Sequence, residues 1–128
     1  MKIAIIQRIF PHYRAELFNS LNKKYNLKVF HGLTKKYNIL LNEEKYSVKS
    51  KLYSLKNIVF FKYFWKVKKF KPQVIIQEFS LKFLNIYSSY IYCKIYGCKL
   101  ILWGHGYNSD FRFSDQPFFS RILRFFFL

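Results

Sequence analysis

Short apolar runs recur along this chain, separated by stretches in which hydrophobic positions return every three or four residues. Residues 3–6 (IAII) are four apolar positions in a row, too short for a helix and typical of a strand covered on both faces. Pro11 then stands where a helix can begin, and Tyr13, Leu17, Leu21 and Tyr25, with Phe18 beside them, form an amphipathic stripe that predicts a first helix over 11–24. Residues 27–30 (LKVF) predict a second strand, stopped by a turn at His31-Gly32. From Thr34 to Asn57 the pattern loosens into an expected loop, with a third short strand near 46–52. Helical spacing returns over 58–70, where Phe60, Phe61, Phe64, Trp65 and Val67 oppose Lys62, Lys66 and Lys69 and Pro72 closes the element. Residues 74–76 (VII) are the next strand. Ser80 can cap a helix whose Leu81, Leu84, Ser88, Ile91 and Ile95 share a face, and Gly97 fits its end. Residues 100–103 (LILW) read as a strand broken by Gly104-His105-Gly106, and a final apolar helix is expected from Pro117 onward.

Strands alternating with helices imply right-handed crossovers, hence an α/β fold with a parallel sheet and helices on both faces. Ligands of open α/β sheets bind in the crevice at the carboxyl ends of the strands. His12, His31 and His105 all fall just beyond expected strand ends, together with Glu78 and the glycines flanking His105.

Length and composition narrow this picture. The 128 residues make one domain, 1–128, and 52% hydrophobic against 23% charged residues is a globular balance. Lys and Arg number 23 against 6 Asp and Glu, giving +17, so the surface field favours anionic partners: phosphorylated substrates, phospholipid headgroups or nucleic acid. Aromatic residues reach 23%, so some must stay at the surface. The N-terminal run has no small-residue cleavage site and reads as a strand, and the apolar stretch over 81–96 carries Lys94 and is short of the roughly 20 residues of a bilayer span. Cys93 and Cys98 have no second Cys or His pair nearby and read as packed, reduced thiols of a cytoplasmic protein.

Three segments carry a resemblance: KIAIIQRIFPHYRAELFNSLNKKYNLKVFHG at the start, FKPQVIIQEFS in the middle and GCKLILWGHGYN near the end. In this order they resemble the opening of group-1, subfamily-4-like glycosyltransferases of the GT-B superfamily, and they cover about half the chain. Gln73 stands where that family commonly has Asp. The resemblance implies a Rossmann-like sheet belonging to the N-terminal, acceptor-side domain, here incomplete, with the C-terminal donor-binding domain absent. It also implies transfer of a sugar from a nucleotide sugar to an acceptor hydroxyl, in cell-surface polysaccharide or glycolipid synthesis. The isolated chain is then expected to be inactive, with nucleotide sugar bound only with a second domain or chain.

Several residues are candidates for the site. His105, between Gly104 and Gly106 where the backbone can approach a ligand closely, is by resemblance the group that orients the acceptor or stabilises charge. Glu78, after the strand at 74–76, can accept a hydrogen bond from a hydroxyl or act as a base. Arg14, with His12 beside it, can hold a phosphate or an acceptor hydroxyl. Each has a structural alternative: a turn histidine, a solvated arginine, a helix-flanking carboxylate. No Asp-x-Asp motif supports a metal site, and no cofactor is expected.

The acceptor is expected to be a sugar, lipid-linked in many members of the family. The basic aromatic segment at 58–71 adds an anionic membrane surface as a partner and the inner face of the cell membrane as a location. Two alternatives stand beside the transferase: a non-catalytic membrane or acceptor-binding subunit of a split enzyme, and a basic nucleic-acid-binding protein. The second lacks any RNP, zinc-finger or helix-turn-helix signature, so no specific nucleic acid is expected.

Overall fold

The computed structural model describes residues 1–33 and 45–104. Six strands alternate with three helices: β1 (Lys2–Gln7), a 3-10 turn (His12–Arg14), α1 (Ala15–Lys24), β2 (Asn26–Leu33), β3 (Ser47–Leu55), β4 (Ile58–Phe61), α2 (Phe64–Phe70), β5 (Val74–Glu78), α3 (Asn85–Tyr96) and β6 (Lys99–Trp103). They form one sheet in the order β4-β3-β2-β1-β5-β6. All neighbouring pairs are parallel except β3 with β4, so the expected all-parallel sheet is corrected to a mixed α/β sheet. The strand order reverses direction between β1 and β5, which lie side by side.

The apolar runs form central strands because both of their faces find cover. Along β1, Ile3 and Ile5 meet Phe18 of α1 and Leu27 and Val29 of β2, whereas Ala4 and Ile6 meet Val67 and Phe70 of α2 and Tyr92 of α3. Helices therefore lie on both faces, α1 on one and α2 with α3 on the other. Each fully buried Ile or Phe contributes about 1.5–3 kcal/mol, so removing either helix layer would strip the sheet of much of its stabilisation.

The expected helix at 58–70 is two elements. Ile58, Val59, Phe60 and Phe61 are β4, paired antiparallel with β3 through Leu55↔Ile58 and Leu52↔Phe61, and only Phe64–Phe70 is helical. A two-residue connection, Lys56-Asn57, makes the hairpin, with Lys56 at φ 53°. No glycine marks that turn, and four apolar residues satisfy a helical and a strand pattern equally. The hairpin's free edge docks on the segment after β5: Val59 N–H donates to the Lys82 carbonyl at 2.8 Å and Leu84 N–H to the Val59 carbonyl at 2.9 Å. Asn85 then serves as a further strand partner, accepting from Phe61 N–H at 2.9 Å and donating to the Phe61 carbonyl at 2.8 Å.

Other expectations also need correction. His31 and Gly32 are inside β2 and not in a turn, because β3 pairs alongside them. Gly32 passes so close to its neighbours that a Cβ would sit 2.8 Å from Leu52 Cβ and 3.1 Å from the Arg8 carbonyl. Ser80 does not cap α3, which begins five residues later; its carbonyl accepts from Phe83 N–H in a tight turn. The predicted face of α3 is the outer one: Leu84, Ile91 and Ile95 are exposed, while Asn85, Ile86, Ser89, Tyr92 and Cys93 are buried. This helix is apolar nearly all round, so periodicity could not choose its inner face. Of the stripe expected along the first helix, Phe18 of α1 is buried, but Leu17 of α1 and Tyr13 of the 3-10 turn are exposed. Gly97 does end α3 in the left-handed conformation, at φ 66°. Cys93 of α3 and Cys98 just beyond Gly97 are free thiols with their sulfurs 3.0 Å apart, both pushed up from the usual thiol range mainly by burial. The expected final helix from Pro117 lies outside the described residues, as do residues 34–44 of the loop expected over 34–57.

Candidate functional site at the carboxyl edge of the sheet

Four strands end along one edge of the sheet, and their last polar side chains share the face that carries α1. Alternation along β1 gives Gln7 the parity of Ile3 and Ile5, and His31 pairs with Gln7 in the register of β2. On the other side of β1, Glu78 pairs with Trp103 and shares the parity of Ile76, which packs under α1. The apolar α1 face therefore finishes in a transverse row: His31, Gln7, Glu78, Trp103.

Each member of the row has its own electrostatic setting. Glu78 is clamped by Arg8: one carboxylate oxygen accepts the Arg8 backbone N–H at 3.0 Å and the other accepts Nε at 2.9 Å and Nη2 at 2.6 Å. The bond to the backbone fixes how the chain leaves β1. Both oxygens are engaged by Arg8, and only the one that accepts the backbone N–H keeps a lone pair, so as placed Glu78 is first a brace between β1 and β5. His31 is fully buried. Its Nδ1 lies 3.2 Å from the Gly32 carbonyl, which can only accept, so Nδ1 carries the proton and Nε2 accepts from the Ser47 hydroxyl at 2.7 Å. Burial, with a smaller contribution from Lys49, pushes the His31 pKa down and keeps the ring neutral.

Arg14 covers the other end of the row. Its Nη1 donates to Gln7 Oε1 at 3.0 Å, and its guanidinium lies 4.4 Å from the centre of the Trp103 ring. Pro11 and the 3-10 turn, whose Arg14 N–H donates to the Pro11 carbonyl at 3.1 Å, hold it there. Two buried donors beside it, Gln7 Nε2 and Trp103 Nε1, have no hydrogen-bond partner among the described residues. A buried unpaired donor costs about 1–3 kcal/mol, and native folds keep few of them.

Beneath the same edge, on the α3 face, a second polar set is closed. The Tyr63 hydroxyl lies 2.9 Å from the Asn85 carbonyl, 2.9 Å from Ser88 Oγ and 2.6 Å from Ser89 Oγ, and shares its one proton among them. Ser89 Oγ donates to Gln77 Oε1 at 2.8 Å, and Gln77 Nε2 donates to the Glu78 carbonyl at 3.2 Å. Burial pushes the Tyr63 pKa up to about 12, so the phenol stays protonated. A shallow pocket of about 190 Å³, lined by Phe60, Phe61, Leu84, Asn85 and Ser88, opens beside this network; it is mainly apolar and offers no charged group.

Of the residues expected from sequence, Arg14 and Glu78 come to this common edge. His12 stands in the 3-10 turn, exposed, with its ring edge-on to Tyr13 at 6.1 Å. Gly104 follows β6 and packs near Phe79. His105 and Gly106 lie outside the described residues. Sequence reasoning missed Gln7, Arg8 and Trp103. Gln7 and Arg8 did leave a signal, since a run of four apolar residues passes directly into two polar ones at the strand end.

Among the described residues no group of three or more His, Cys, Asp or Glu side chains could hold a metal ion. None of the described helices is long and apolar enough to cross a membrane. No family model matches the chain, and neither the curated proteins nor the solved structures contain a match.

Proposed function

We propose that this chain is the acceptor-side, Rossmann-like part of a GT-B glycosyltransferase, working in cell-surface polysaccharide or glycolipid synthesis. The observation that carries the reading is where the three resembling segments fall. They supply β1-α1-β2, β5 and β6, the elements on either side of the place where the strand order reverses, and each brings a polar residue to the carboxyl edge. Without the antiparallel β4, the order is that of a doubly wound sheet, whose ligands sit at such a reversal. In this reading Arg14 holds the acceptor, Glu78 keeps the edge rigid through Arg8, and His105 orients the acceptor hydroxyl between Gly104 and Gly106. The nucleotide sugar is held by a second domain of the kind the family carries.

The test is co-expression of the chain with the polypeptide encoded next to it, followed by an assay of sugar transfer from nucleotide sugars to a lipid extract of the same cells. Transfer that depends on this chain and falls about tenfold or more in Arg14→Ala, with unchanged thermal unfolding, supports the assignment. Equal transfer without the chain, or with Arg14→Ala, removes it.

A second reading, a non-catalytic subunit seated on an anionic membrane, has one observation in its favour. Trp65 on α2 is 75% exposed between Lys66, Lys68 and Lys69. Phe60 and Phe61 belong to β4, however, so α2 offers a single aromatic anchor. Lys66 is also tied to the Lys49 carbonyl and the Ser50 hydroxyl, both at 2.8 Å.

A further inference from the structure

We infer that Arg14, Gln7 and Trp103 form a binding site for a phosphoryl oxyanion, which makes the acceptor of the proposed transferase a phosphate ester; the inference rests on that reading for the acceptor's role alone. Gln7 Oε1 accepts from Arg14, which can only donate, so the amide is oriented by chemistry and its Nε2 must face away from Arg14 Nη1. That Nε2 is buried and unpaired, as is the indole N–H of Trp103, whose ring lies against the same guanidinium. Among the described residues of the row, Arg8 and Glu78 pair with each other at 2.6 Å, and no carboxylate is paired with Arg14.

What the trio offers a ligand is therefore mostly donors: the remaining guanidinium N–H groups, the two N–H of the Gln7 amide and one indole N–H, against a single spare lone pair on Gln7 Oε1. A neutral sugar hydroxyl must also place its own proton, for which only that one lone pair, already polarised by Arg14, is left in the trio. A phosphoryl group, with several acceptor oxygens and no obligatory proton, matches it. Both N–H groups are covered, so binding parts the Arg14–Trp103 stack. That exchange is favourable because charge-assisted bonds to a phosphate are stronger than a partly exposed ring contact.

The chain carries two tryptophans, and the second supplies an internal control. Trp65 is exposed among lysines, with Lys68 Nζ 5.1 Å from its ring centre, and reports whatever loose anion atmosphere the +17 charge attracts. In a proton–nitrogen correlation spectrum of the full chain, titration with glycerol 3-phosphate should move the Trp103 indole resonance downfield and saturate, while Trp65 drifts slightly without saturating. Arg14→Met should weaken the Trp103 response about tenfold or more, and Lys68→Met should leave it unchanged. Vesicles containing phosphatidic acid, set against phosphatidylcholine vesicles, separate a lipid-borne phosphate from a soluble one: perturbation of Trp103 by only one source names that source. Parallel, non-saturating shifts of both indoles, or an Arg14→Met protein that responds like the parent, overturn the site. Saturable phosphate binding with no sugar transfer would keep the site and remove the transferase. Transfer to a neutral acceptor with no phosphate response would do the reverse.

Discussion

Gln7 is the last residue of β1 and Gln77 the last but one of its parallel neighbour β5; both are fully buried, and their side chains point to opposite faces of the sheet. Gln77 lies under α3 with both amide atoms satisfied, the oxygen by Ser89 and the nitrogen by the Glu78 carbonyl. Gln7 lies under the α1 side with its oxygen held by Arg14 and its nitrogen unpaired. The same residue type at nearly the same height thus belongs to a closed network on one face and an incomplete one on the other. A closed polar network fixes one arrangement of the elements around it, and an incomplete one is completed by a partner. The α3 side is thereby read as structure and the α1 side as site.

The strongest way to break this contrast is to attack the closed side. Asn85→Ala removes two bonds and strands the buried N–H and C=O of Phe61, so it should lower unfolding free energy in urea by about 3 kcal/mol and loosen the β3–β4 hairpin. A loss under about 1 kcal/mol would mean that the hairpin stands without Asn85 and that the α3-side network is not structural.

A smaller effect sharpens the other side. His31 belongs to the α1-face row but is satisfied at both ring nitrogens, so it should behave as structure. Its folded pKa is lowered from 6.5, with Lys49 adding to the effect of burial. Below that value the unfolded chain takes up a proton that the folded one refuses. The contribution of His31 is therefore complete above pH 6.5 and is lost as pH falls below it, at no more than about 1.4 kcal/mol per pH unit. Urea unfolding between pH 7.5 and 5.5 should show this slope in the parent protein and lose it in His31→Gln. An identical slope in both would place the titration elsewhere and His31 outside the closed part of the row.

The α/β class, the central strands and the stop at Gly97 were legible because continuous apolar runs and a left-handed glycine each have one dominant physical meaning. β4 was not, since four apolar residues carry no period and its turn uses Lys56 where a glycine would have announced it. The inner face of α3 was hidden for a different reason: it buries Asn85 and Ser89 beside Ile86 to satisfy Tyr63, Gln77 and the edge of β4, while Ile91 and Ile95 lie outside. Arg14 and Glu78 could be placed at the edge from strand ends alone. Their partners could not, because Arg8, Gln7 and Trp103 acquire their roles only when β1, β5 and β6 lie side by side.

The most direct measurement compares the two glutamines under one condition, by urea unfolding of Gln7→Met beside Gln77→Met at neutral pH. Gln77→Met should lose about 2 kcal/mol by opening a satisfied network, and Gln7→Met less than about 0.5 kcal/mol, because an unpaired buried donor leaves with it. Equal losses would mean that both faces are closed alike, and the α1 side would no longer be distinguished as the place where a ligand binds.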